Sequence, residues 1–94
     1  MSFPTEEVRA QFPALNIKDQ EQVFPIYFDG PGGTQMAKPC IDRMLEYIST
    51  GMANLHGTFS TSKNTDLLLE EAKSAVGDLV HCDAEEVAFG QNMT

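Results

Sequence analysis

Val87-Ala88-Phe89-Gly90-Gln91-Asn92-Met93-Thr94 is the stretch whose reading decides the fold. Three apolar residues bounded by turn formers read as a short buried strand, Val87 to Phe89. A glycine and a polar, hydroxyl-bearing run follow it. A strand that leads into such a turn is how α/β proteins build anion sites. The first amides of the helix that follows are unpaired and point outward, the helix dipole favours negative charge, and a threonine hydroxyl adds a donor. The same run also occurs in turns that bind nothing, so these residues by themselves are compatible with a plain turn and with a phosphate cradle.

Working back from that strand, Asp83 to Glu86 has the D-x-x-E form of a capping-box turn. Before it, the sequence predicts a helix over Thr65 to Val80. Leu68, Leu69, Ala72, Ala75, Val76, Leu79 and Val80 cover an arc of about 140° at 100° per residue, and Leu67 alone interrupts the polar side. Met52 to Asn64 has no period and reads as a thirteen-residue connection, a length often associated with function. Gly51 closes an earlier helix, Pro39 to Thr50, in which Ile41, Met44, Leu45 and Ile48 fall at i, i+3, i+4 and i+7 and predict one buried face.

Further upstream, Asp29-Gly30-Pro31-Gly32-Gly33-Thr34 must be a tight loop, because its glycines and proline favour turns over helix or strand. Ile26 to Phe28 reads as an edge strand, since Pro25 removes an amide donor. Asn16 to Gln22 is a polar loop. Thr5 to Phe12 reads as a short helix, with Thr5 as its cap, Glu6 and Glu7 in the first turn and Pro13 ending it.

Composition bounds the function classes. The 94 residues make one domain at most, and a chain this short leaves much of its apolar surface for more protein to cover. Six basic against fourteen acidic residues, a formal net charge of −8, argue against a nucleic-acid groove or an anionic membrane surface. No run approaches the roughly 18 apolar residues of a membrane span. Met1 to Glu7 is polar and acidic, unlike a secretory signal, so a cytoplasmic location is expected. Cys40 and Cys82 lie far apart with no CxxC partner, which predicts neither a zinc site nor a disulfide. Both read as small, partly buried hydrophobes.

Three segments carry a resemblance. Tyr27-Phe28-Asp29-Gly30-Pro31-Gly32-Gly33-Thr34, Ala53-Asn54-Leu55-His56-Gly57 and Val87 to Thr94, in this order and at these separations, resemble signature regions of the class V aminotransferases, most closely their cysteine-desulfurase-like branch. Val8-Arg9-Ala10-Gln11-Phe12-Pro13-Ala14-Leu15 is similar to that branch's opening segment. The resemblance implies an α/β protein, the amino-terminal portion of a fold type I transferase dependent on pyridoxal 5'-phosphate, mostly helical here with two short strands. Residues 1–64 would carry the first helix, strand, substrate-side loop and second helix. Residues 65–94 would begin the large cofactor-binding domain.

The resemblance also implies roles for particular residues. Gly32, Gly33, Thr34 and Asn54 would lie toward an amino-acid substrate, and His56 would take a catalytic part near the site entrance. Asn92, Met93 and Thr94 would hold the cofactor phosphate. No residue is expected to bind a metal. The Schiff-base lysine would lie downstream, and Lys18, Lys38, Lys63 and Lys73 match neither its position nor its context, so the 94 residues alone are expected to be inactive. The complete protein would be a homodimer. Three departures stand out: Gly57 occupies a position where the desulfurase pattern has arginine, Met93 replaces a hydroxyl residue, and Gly30-Pro31-Gly32-Gly33 is one residue longer than the desulfurase Asn-Ala-Ala stretch. Taken without the resemblance, His56 reads as a surface residue and the glycine loop as a plain turn. The competing expectation is a complete acidic helical module, without catalysis, that binds a protein through the Leu68 to Val80 face.

Overall fold

Glu6 and Glu7 sit in the first turn of α1, Thr5–Ala10, where the helix dipole favours their charge. The computed structural model describes residues 2–91 and divides the chain into two units, Met1–Thr50 and Gly51–Thr94. In the first unit Thr5 is not the cap. It is the first helical residue, and its hydroxyl donates to the Phe3 carbonyl at 3.4 Å. The helix also ends two residues before the expected Phe12. Its terminal carbonyls are claimed from outside: Asn16 Nδ2 donates to Arg9 O at 3.1 Å and to Phe12 O at 2.9 Å, and the Lys38 amide donates to Gln11 O at 2.7 Å. A 3₁₀ turn, Pro13–Asn16, follows. The Arg9 guanidinium donates to Pro25 O at 3.3 Å and so ties α1 to the chain beyond the polar loop.

Neither expected strand forms, and the described residues contain no strand at all. Ile26 to Phe28 and Val87 to Phe89 lie outside any ladder. A strand is stabilised by hydrogen bonds to a neighbour, and β-type side chains alone cannot supply one. Ile26 and Phe28 are exposed accordingly.

The second helix, α2, spans Lys38–Thr50, one residue longer than Pro39 to Thr50. Lys38 pairs with Asp42 at 2.7 Å and Arg43 with Glu46 at 3.1 Å along its polar side. Gly51 follows at φ 110°, the left-handed conformation in which a glycine ends a helix. The expected buried face is not buried: Ile41 is half-buried, while Met44, Leu45 and Ile48 are exposed. Amphipathic periodicity specifies a face, and burial requires a second surface to lie over it. Cys40, expected to be partly buried, is exposed, and Cys82 is half-buried; both are free thiols.

The second unit is organised by α3, Ser60–Val80, which starts five residues before the expected Thr65 and shortens the Met52 to Asn64 connection to residues 51–59. Ser62 and Thr65 are buried, and Leu68, Leu69, Ala72 and Val76 continue the same stripe half-buried. The far end of the expected face is open, with Ala75 and Val80 exposed and Leu79 84% accessible. His81 then takes φ 61°, and the amides of His81 and Cys82 both donate to Gly77 O, the Cys82 bond at 2.9 Å. The left-handed residue thus closes the helix, with the Cys82 bond of the six-residue Schellman type. The Asp83 capping box is present, its amide donating to Glu86 Oε2 at 2.9 Å, and it starts the 3₁₀ turn Ala84–Glu86.

Gly77 is the residue that lets this turn fold back. A Cβ there would stand 2.6 Å from the Cys82 carbonyl oxygen, a backbone atom that cannot rotate away. Alanine normally gains roughly 1 kcal/mol over glycine inside a helix. Here overpacking costs roughly 1–3 kcal/mol, so Gly77→Ala is expected to destabilise by up to about 2 kcal/mol net. Amide exchange at Cys82 should accelerate, and a stabilised variant with unchanged Cys82 protection would refute the account.

No large hydrophobic side chain is fully buried among the described residues, whereas Phe3, Ile26, Phe28, Leu67 and Leu79 are each more than half exposed. Apolar surface on this scale marks places that other protein covers. The 94-residue chain in isolation is therefore expected to bind a hydrophobic dye and to associate. A monodisperse monomer with a sharp thermal transition and no dye binding would count against this. Among the described residues no helix is long and apolar enough to cross a membrane.

Candidate functional site

The loop Asn54 to Gly57 is held on the first turns of α3 by two side chains four residues apart. Ser62 is fully buried. Its hydroxyl donates to Asn54 O at 2.7 Å and accepts the Gly57 amide at 2.7 Å, so both its bonding capacities close the loop. One turn on, Asp66 Oδ1 accepts the His56 amide at 3.1 Å and lies 3.4 Å from His56 Nδ1. His56 has φ 64°. A non-glycine residue in that region is uncommon and is kept there by its surroundings. The imidazole is 85% exposed while Asp66 is 31% exposed, so the carboxylate is sheltered and the ring presented to solvent. His56 and Asp66 line a cleft of 230 Å³ together with Leu55, Leu69, Glu70 and Lys73.

Gly57 has a local reason. A Cβ there would lie 2.5 Å from Phe59 Cε1 and 2.9 Å from Ser62 Oγ. The space that a side chain at this position needs is occupied by the Phe59 ring.

In the first unit Gly30–Gly32 forms a 3₁₀ turn. The Gly32 amide donates to Asp29 O at 2.8 Å and the Gly33 amide to Gly30 O at 2.9 Å, so both amides are engaged within the loop. Gly33 has φ 122°, a conformation that requires glycine. No heavy atom lies within 4 Å of a Cβ built on Gly32 or Gly33, which leaves the loop open to a ligand from its outer side. Gly33 and Thr34 border a cleft of 290 Å³ whose wall includes Arg9, Phe12 and Tyr27.

The structure thus groups Gly33 with Thr34 in one unit and Asn54 with His56 in the other. Asn92, Met93 and Thr94 lie outside the described residues. Sequence reasoning missed Ser62 and Asp66. The signal was their i, i+4 spacing and its continuation into Leu69, Ala72 and Val76, but Ser60 to Asn64 is too polar to read as helix without its tertiary partners. Arg9, which bridges α1 to Pro25, was likewise not singled out.

Residues 26–94 match the family model described as aminotransferase class-V. Over the whole chain the sequence is 34% identical to a cysteine desulfurase of Yersinia pseudotuberculosis serotype O:1b (strain IP 31758) and 33% identical to one of Yersinia pestis (strain Pestoides F). The chain spans 23% of the length of these relatives. No solved structure matches it significantly.

Proposed function

Because the chain belongs to the class V aminotransferase family, we propose that it is the amino-terminal part of an enzyme that uses pyridoxal 5'-phosphate to act on an amino acid. The observation that carries this reading is the continuity of the similarity, which covers 100% of the chain against cysteine desulfurases. No heavy atom lies within 4 Å of a Cβ built on Gly90, so the backbone at that residue is open to approach, which is compatible with this reading. In this reading Asn92 and Met93 bind the phosphate through the backbone and Thr94 through its hydroxyl. The bound cofactor supplies the electron sink for charge developing on the substrate.

Gly32, Gly33 and Thr34, with Asn54, face the amino acid, and His56 holds or moves a proton beside it. Gly57 removes the guanidinium that the desulfurase pattern carries, so the substrate class is an amino acid without a commitment to cysteine. None of the four lysines is assigned the covalent role. Lys38 is paired with Asp42, and Lys18 stands 4.9 Å over the Phe24 ring, which are surface arrangements. The complete enzyme is a cytoplasmic homodimer in this proposal.

The test is to titrate a longer protein containing this chain with pyridoxal phosphate, reduce with borohydride and map the modified residue. One stoichiometric lysine adduct beyond Thr94 is expected. Absence of a specific adduct, or an adduct on Lys18, Lys38, Lys63 or Lys73, overturns the proposal.

A further inference from the structure

We propose that Asp66 is the positioning residue for His56, holding the imidazole with its proton on Nδ1 and leaving the Nε2 lone pair free to take and return a proton. The catalytic use of His56 rests on the function proposed above; the positioning itself rests on geometry alone. Three observations converge. A single carboxylate oxygen of Asp66 lies 3.1 Å from the His56 amide and 3.4 Å from Nδ1, so one acceptor faces both the backbone and the ring of the same residue. His56 has φ 64°, a conformation with a conformational cost for a residue bearing a Cβ, and the Asp66 bond to its amide helps to hold it there. Finally, Asp66 is on α3, four residues after the buried Ser62 that pins the two ends of the same loop, so the acceptor is mounted on a helix and not on the loop it orients.

The chemistry follows from the two ring nitrogens. A carboxylate 3.4 Å from Nδ1 favours a proton on that nitrogen, which makes Nε2 the acceptor. If Nε2 takes a proton from the substrate, the resulting imidazolium keeps the Asp66 carboxylate as counter-charge. Returning that proton restores the starting state, so the cycle balances without another reactant. A structural role for Asp66 confined to the His56 amide would hold the loop and leave the ring tautomer to solvent.

The experiment has two arms. Protein labelled with ¹⁵N-histidine, with the His56 signals identified by their loss in His56→Gln, reports the tautomer whether or not the protein has activity. Wild type is expected in the Nδ1–H form. Asp66→Ala is expected to revert to Nε2–H, and Asp66→Asn, which still offers an oxygen, to retain part of the Nδ1–H population. A wild-type Nε2–H tautomer, or one unchanged in Asp66→Ala, overturns the proposal, and unaltered circular dichroism confirms that the variant has kept its helices.

In the longer protein Asp66→Ala should lower kcat about tenfold or more while KM and cofactor affinity stay within about twofold, a share of the roughly 10²–10⁴-fold that general acid–base groups contribute. Because Asp66 acts through His56, the double variant with His56→Gln should be no slower than His56→Gln alone. Additive losses overturn the positioning role. Absence of turnover and cofactor binding in wild type would refute the enzyme reading, and the tautomer arm would still decide the role of Asp66.

Discussion

Thr94→Ala in the longer, cofactor-binding protein is expected to weaken pyridoxal phosphate by about tenfold or more. The segment from Val87 runs through an exposed glycine into Asn92, Met93 and Thr94. In the proposed arrangement the backbone amides of this turn meet the phosphate, and Met93, which has no hydroxyl, contributes only through its backbone. Thr94 then supplies the one side-chain donor. A hydrogen bond to a charged group is worth roughly 1.5–3 kcal/mol, and each 1.4 kcal/mol is a factor of ten in affinity. Thr94→Ser, which keeps the hydroxyl, should restore most of the affinity. Equilibrium titration of apoprotein followed by cofactor absorbance gives the constants, and an unchanged affinity in Thr94→Ala would remove that residue from the phosphate site.

Ser62→Ala is expected to cost about 2–4 kcal/mol and to release the His56 loop. The hydroxyl is 0% exposed and serves Asn54 O and the Gly57 amide, each at 2.7 Å. Alanine leaves both groups facing each other across a gap, and an unsatisfied buried donor or acceptor costs roughly 1–3 kcal/mol. Water entering the gap brings the cost toward the lower figure. Urea unfolding of the longer protein measures the loss, while amide exchange at Gly57 reports the loop directly. Ser62→Thr tests the same bonds by a different route: the hydroxyl is kept, but its added methyl group must fit beside Phe59 and Gly57. A change below about 0.5 kcal/mol in Ser62→Ala, with Gly57 still protected, would show that the clamp does not hold the loop.

The Ser62 clamp also marks the boundary between what could be read from the sequence and what could not. The apolar periods placed α2 and the body of α3 within a residue at their shared ends, Thr50 and Val80, because spacing along a helix is a local property. Gly51 and the Asp83–Glu86 capping box were legible for the same reason: a left-handed residue and a side chain bonding back three positions are decided by their own neighbours. The family, too, lay in the order and spacing of the quoted segments, and residues 26–94 bear it out.

The first turns of α3 were different. Ser60 to Asn64 carries no apolar period, and its Ser62 bonds to Gly57 and Asn54, residues five and eight positions away. The acceptor for His56 stands ten positions from it, and no local rule pairs them. The glycine loop was correctly a turn, yet only the folded backbone decided that the Gly32 and Gly33 amides bond within it. Strand formation at Ile26 to Phe28 and Val87 to Phe89 and burial of Met44, Leu45 and Ile48 failed for one physical reason. Periodicity and side-chain type state what a segment can bury or pair, whereas pairing and burial are properties of two surfaces, and the second surface is set by tertiary structure.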